Sequence, residues 1–467
     1  MEILFLFRFE IIMAVLILAL VVMSLCDFDS HTKRFLVTVN IILGLNLIIG
    51  LLPISTGSYF SNFFRTNGLI VLEKTILNLG LFLISLTSYT WLTNSRHKLE
   101  FYLLMLSSIM GAYIMLSSGH VLMLYLGLEM STLPIAAMSN FNLKEQRSSE
   151  AGIKLILSSA FSSGVMLFGI SLLYGAVGDL SFDSVIANLH PDTLTLFAFA
   201  FILAGFAFKM SIVPFHLWTA DVYEGSPVAV SNFLSVISKG SVIFIFITVL
   251  YSLFGGLKEA WLLGVSIVSI LSMTVGNLFA LRQQNAKRFL AFSSIAQVGF
   301  VLVGITGAST TGAASIVYFI LIYLLSNVAA FGVISTISDT TGSESLQSFK
   351  GLYKSNPFHA LIMAIALFSL AGVPPIAGFF GKLFLLTAGM NSGLYVLLGF
   401  AGINLVISLY NYLRIVKYMF IDEAVAPLPK LDRNLQLTTA FYICVIGLII
   451  IGFVTPVYNY IDYLCSM

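Results

Sequence analysis

The sequence predicts an all-α polytopic membrane protein, a single membrane domain with about fourteen transmembrane helices, and three observations support this. Of its 467 residues, 58% are hydrophobic and only 9% are charged, with a mean hydropathy of +1.00. A soluble domain carries roughly 25% charged residues, so most of this surface faces lipid rather than water. Apolar runs of about 20 residues, enough to cross a hydrocarbon core, recur from end to end. Basic residues, finally, gather in alternate connections between those runs.

The first run, 5–26, has Arg8 before its apolar stretch, as a signal peptide would. Glu2 and Glu10 argue against that reading, as does the lack of a small-residue cleavage pattern after Cys26, so a retained helix is expected. Helices are then expected over 35–53, 69–92, 100–117, 119–139, 149–177, 193–219 and 226–255. The second half of the chain gives 260–281, 287–306, 311–337, 357–389, 393–420 and 435–460. No gap between helices is long enough for a soluble domain.

Connections after odd-numbered helices hold Lys33, Arg34, Arg96, Lys98, Lys144, Arg147, Arg282, Lys287, Arg288, Lys350, Lys354, Lys430 and Arg433. Those after even-numbered helices hold only Arg65 and Lys258. One missed span would scramble so clean a division, which therefore supports the helix count. It also predicts cytoplasmic odd-to-even connections and both termini on the outer, periplasmic side.

Two helices are interrupted at their middles. The seventh carries Pro214 in AFKMSIVPFHLW, and the twelfth carries Pro374 and Pro375 in SLAGVPPIAGFFGKLFLL. Lys209 lies beside the first break and Lys382 beside the second. The breaks are five helices apart, an odd number, so a second copy of such a unit would sit upside down. Paired interruptions in an inverted repeat mark transport sites; a single break would pass as an ordinary proline kink.

Glu129, Lys209, Lys239 and Lys382 fall near the centres of their spans, with Lys154 nearer a cytoplasmic end. Each central charge costs roughly 2.5–3.5 kcal/mol on insertion scales. Lys154 is close enough to a helix end for its ammonium to snorkel to the headgroups. One carboxylate cannot neutralise the remaining lysines by ion pairing. Burial favours the neutral amine and a nearby carboxylate favours the ammonium, so moving Glu129 relative to Lys209 would switch proton occupancy. Ser158, Ser159, Ser162, Ser163, Ser235, Ser238, Gln297, Tyr318, Tyr323, Asn327 and Asn404 could carry water between these charges or simply pack helices. His216 stands apart, just beyond the Pro214 break, and is a candidate proton relay.

The chain offers no redox centre of its own. Cys26, Cys444 and Cys465 are far apart with no CxxC, unsuited to an iron–sulfur or zinc site. The six histidines fall mostly in loops, which disfavours paired haem ligands. A net charge of +2 gives no reason to expect a nucleic-acid partner.

The segments KMSIVPFHLWTADVYEGSPVAVSNFLSVISK, QQNAKRFLAFSSIAQVGF and SLAGVPPIAGFFGKLFLL resemble the antiporter-like membrane subunits of respiratory complex I (NADH:quinone oxidoreductase). They are most similar to the subunit N branch, called subunit 2 in mitochondria. The resemblance covers most of the chain and implies two inverted five-helix repeats, helices 4–8 and 9–13, with helices 7 and 12 broken. It divides the chain into 1–98 (helices 1–3), 99–256 (first repeat), 257–420 (second repeat) and 421–467 (helix 14). It implies proton-translocating roles for Glu129, Lys154, Lys209, Lys239 and Lys382. It further implies FMN, iron–sulfur clusters and quinone in partner subunits, both membrane-arm and peripheral, and a bacterial inner membrane as the setting. Two positions depart from the family pattern: Ala220 stands where proline is usual and Gln297 where histidine is usual.

Three rival functions share some of these features. A multi-subunit sodium/proton antiporter has the same fold, but GKLFLL and the compact C-terminus favour complex I. A stand-alone solute transporter would need a cluster of recognition groups, and a quinone-reducing enzyme would need cofactor ligands. Neither is visible in the sequence.

Overall fold

The computed structural model describes residues 5–25, 32–52, 56–423 and 428–466. Cys26 and Glu2 lie outside the described residues. The protein is a polytopic bundle of α-helices, with thirteen helices among the described residues long and apolar enough to span a membrane. Two shorter apolar helices, Pro357–Ala371 and Ala377–Met390, share the predicted twelfth position.

Most spans start and end within a few residues of expectation. Where they do not, local chemistry explains it. The seventh helix runs only from Thr193 to Met210; the chain then passes Ser211, at φ 62°, and Pro214 before a short helix, Leu217–Gly225. The amide of Val213, freed there, donates to Ser272 Oγ at 3.1 Å, so the break leaves that donor satisfied. The fourteenth stops at Phe453, because Pro456 has no amide to carry the helix ladder on to the Gly452 carbonyl. A separate helix, Thr455–Ser466, follows, burying Ile461 and Leu464 and exposing Tyr460 and Tyr463. One departure from the all-helical expectation is a small antiparallel hairpin after the second span, Gly57–Tyr59 against Phe64–Thr66, with Gly57 opposite Thr66.

The chain forms two compact units. The first comprises residues 1–82, 92–210 and 237–262. In it Lys98–Leu116 and Val121–Ser139 pack backbone against backbone. A Cβ on Gly111 would lie 2.4 Å from the Ser131 nitrogen, and one on Gly127 2.6 Å from that of Met115, so only glycine permits this approach. The second comprises residues 83–91, 211–236 and 263–467. Its centre is Ala286–Thr306 and Thr310–Thr341, both enclosed on nearly every face. A helix apolar all round is one surrounded by other helices.

Isolated bridges join connections of like parity. Phe64 pairs with Ser118 and His120 with Ser181, all after even-numbered helices; Asn285 pairs with Ser345, both after odd ones. A wrong span count would have mixed the two classes.

Candidate functional site

The site is assembled in the first unit by three helices. Glu129 and Thr132 are three residues apart on Val121–Ser139 and so share one face. Ser159 and Ser163, four apart on Gln146–Val177, share another. Lys209 occupies the last turn of Thr193–Met210, where unpaired helix carbonyls favour a cation. Its ammonium donates to Thr132 Oγ1 at 2.9 Å and Ser159 Oγ at 2.8 Å, and stands 3.6 Å from Glu129 Oε1. Ser163 Oγ donates to the same carboxylate oxygen at 2.5 Å.

The geometry decides how the charges interact. At 3.6 Å the pair is an ion pair without direct hydrogen-bond geometry, and the two hydroxyls complete the ammonium's coordination. Lys209 is 7% exposed and Glu129 22%, so the carboxylate is the more accessible partner. Pro134, inside the same helix, removes the donor that would have bonded the Met130 carbonyl.

The other expected residues occupy distinct settings. Lys154 is 41% exposed and pairs with Glu150 at 2.5 Å, one turn back on its own helix. Lys239 is buried at the end of a π-helical turn, Leu234–Ser238, within the eighth span. Such turns shift a side chain out of α-helical register and often mark functional positions. His216 stands at the N-cap of Leu217–Gly225, half-buried.

Lys382 belongs to the second break. Gly372, at φ 84°, ends the helix Pro357–Ala371 in a left-handed conformation. The next helix crosses so close that a Cβ on Gly378 would lie 1.8 Å from the Ser369 oxygen. Lys382, itself 3% exposed, then reaches back, its ammonium 3.3 Å from the Ala371 carbonyl and 4.8 Å from the Phe300 ring centre. Gln297, where a histidine is usual in the family, donates to Leu370 O at 3.0 Å and to Tyr412 Oη at 2.9 Å. Tyr412 in turn bonds Ser293 at 2.5 Å, so a polar string runs through this part of the second unit without a titrating imidazole.

Residues 118–408 match the family described as NADH:quinone oxidoreductase/Mrp antiporter, transmembrane. The NADH-quinone oxidoreductase subunit N of Phocaeicola vulgatus is 43% identical over 423 residues, which is 90% of this chain and 89% of that protein. The chain belongs to this family, in its subunit N branch. In the family's respiratory complex I from Thermus thermophilus, solved with bound aureothin, one chain superposes with a TM-score of 0.81 at 28% identity. That match covers 95% of this chain and 96% of the other. A chain of the Mrp complex from Dietzia superposes with a TM-score of 0.86, covering 98% of this chain and 96% of that one, at 19% identity. Identity that low establishes a shared fold, so the antiporter complexes do not compete on sequence with the subunit N relatives.

Sequence reasoning passed over several buried charges. Lys287 was counted among basic residues of a connection, yet it is 3% exposed, 2.7 Å from Glu344 and 2.6 Å from the Ser226 carbonyl. Arg288 bridges Asp221 at 2.6 Å and Glu224 at 2.9 Å. Arg8, Glu10, Glu73 and Lys74 are all buried within the first unit. Their positions near predicted span ends carried no signal of burial. Among the described residues no group of three or more histidine, cysteine or acidic side chains could hold a metal ion.

Proposed function

We propose that this chain is a proton-translocating membrane-arm subunit of an NADH:quinone oxidoreductase, and that the Glu129–Lys209 pair is where its proton is held and released. The observation that carries the proposal is a half-buried carboxylate standing 3.6 Å from a buried ammonium in the last turn before a helix break. Burial favours a neutral amine and a nearby carboxylate favours the ammonium. A small change in the Glu129–Lys209 separation is therefore a change in proton occupancy. Thr132 and Ser159 keep the amine's coordination filled in either state, and Ser163 holds the carboxylate in place.

Lys239, just after its π-helical turn, receives the charge next, and Lys382 delivers it at the second break, where an aromatic face and a helix carbonyl stabilise the ammonium. His216 relays protons at the first break. Lys154, exposed and paired to Glu150, supplies protons from the membrane edge. The driving energy comes from partner subunits that carry FMN and iron–sulfur clusters and reduce quinone. In this arrangement the chain lies in a bacterial inner membrane with its odd-numbered connections in the cytoplasm and both termini outside.

Purification through a tag on this chain, in mild detergent, tests the assignment. Flavin- and iron–sulfur-bearing subunits with NADH:quinone reductase activity are expected to co-purify. Recovery instead with only sodium/proton antiporter subunits would overturn it. A reporter joined after Met467 tests the orientation, and cytoplasmic activity there would reverse it.

A further inference from the structure

The N-terminal helices hold ionisable groups that the Glu129–Lys209 site does not use. Lys74 is 0% exposed. Its ammonium contacts the Glu10 carboxylate and donates to Ser117 Oγ at 2.6 Å. The rings of Phe9, Phe64 and Tyr113 surround it, the nearest centre 5.3 Å away. Arg8 donates to the Gly50 and Leu52 carbonyls, each at 3.3 Å, which are helix-end acceptors. Glu10 thus answers Lys74, and carbonyls answer Arg8. Glu73 remains as an additional carboxyl inside a spanning helix.

Glu73 is 3% exposed and lines a cavity of about 570 Å³. Arg65, Ser118, Asp183, Thr248 and Ser252 contribute polar groups to its wall. A polar cavity of that size holds water. Leu116 and Ser118, which flank the Lys74-bonded Ser117, also line it. Lys74 is next to Glu73 on the same helix, Arg65 and Asp183, 2.7 Å apart, share the cavity wall with it, and Arg8, Glu10 and Tyr113 stand around Lys74. A buried carboxyl in the second turn of a spanning helix, next to the Lys74–Glu10 ion pair and at the wall of a water-sized cavity, is costly to keep unless it serves a function.

We infer that this cavity is a proton port in which Glu73 exchanges protons with water, backed by the Lys74–Glu10 pair. The inference rests on the proton-translocating reading above, because the proton exchanged is that site's cargo. The carboxylate takes up one proton to become the neutral acid and returns to carboxylate when water accepts that proton; no electrons move. The cavity lies among connections after the second, fourth and sixth helices and at the end of the eighth span, the side proposed to face outward, so the port exchanges protons with that side separately from the delivery at Lys382.

Proton flux per NADH oxidised, measured in vesicles holding the assembled complex and normalised to the amount assembled, tests this. Glu73→Gln is expected to lose most of the flux, and Glu73→Asp to recover part of it. Wild-type flux in Glu73→Gln alongside lost flux in Lys209→Met would overturn the port and leave the main site standing. Wild-type flux in both would remove the main site too. Should Glu73→Gln fail to assemble, Ser252→Cys probes the cavity instead. A membrane-impermeant thiol reagent is expected to label that cysteine from the outer face only, above the parent chain's background, and to lower flux. No labelling, or labelling without loss of flux, would overturn the port.

Discussion

Replacing Lys209 with methionine keeps the aliphatic stem in place and removes the ammonium. Three contacts disappear: two hydroxyl hydrogen bonds at 2.9 and 2.8 Å and the ion pair at 3.6 Å. At an effective dielectric constant of about 20, a charge pair at 3.6 Å is worth about 5 kcal/mol of gross attraction. Removing one partner of a fully buried pair costs about 3–5 kcal/mol, but Glu129 is 22% exposed, so about 2 kcal/mol is expected here. The complex should therefore assemble while its proton flux is lost. Arginine should not restore flux, because a guanidinium keeps its proton. The assay is proton uptake by vesicles containing the assembled complex, together with thermal unfolding of Glu129→Gln, Lys209→Met and the double variant. Coupling between the two positions of about 1–3 kcal/mol is expected. Wild-type flux in Lys209→Met would refute the assignment, and so would purely additive stability effects.

Other outcomes follow from single contacts. Gly378→Ala drives a methyl into the Ser369 carbonyl, 1.8 Å away, and should cost more than about 3 kcal/mol, seen as reduced assembly; near-normal yield would contradict the tight crossing of the two half-helices. Arg288→Lys keeps the charge but not the two-carboxylate bridge to Asp221 and Glu224, and a loss of about 1 kcal/mol is expected by thermal unfolding. The Arg65 hydrogen bond holds Asp183 below its ordinary value of 3.8, so the contact contributes fully above that pH and is lost as pH falls through the folded-state value. Protection of the amides in residues 57–67, taken relative to their intrinsic exchange rates, should then fall below about pH 4, and Asp183→Asn should reproduce this at neutral pH. Protection factors that stay constant with pH would discount that pair.

By itself the sequence determined the class of fold, the order of the spans and the central charges. A span must be long and apolar whatever it packs against, because the bilayer imposes that demand on each helix separately. Glu129, Lys209, Lys239 and Lys382 were legible for the same reason: a charge in mid-span is costly in any arrangement. Prolines 214, 374 and 375 exposed the breaks, since proline lacks a donor in every context. Only the tertiary structure decided which charges meet. Lys209 found Glu129 across 80 residues of sequence, whereas Lys154, equally basic, ended beside Glu150 on its own helix. Glu10 and Lys74, near the ends of separate predicted spans, became a buried pair only when the first and third helices packed together. Spacing along one helix is fixed by covalent geometry, but contact between helices depends on close approaches such as Gly111 on Ser131, and these arise only in the folded bundle.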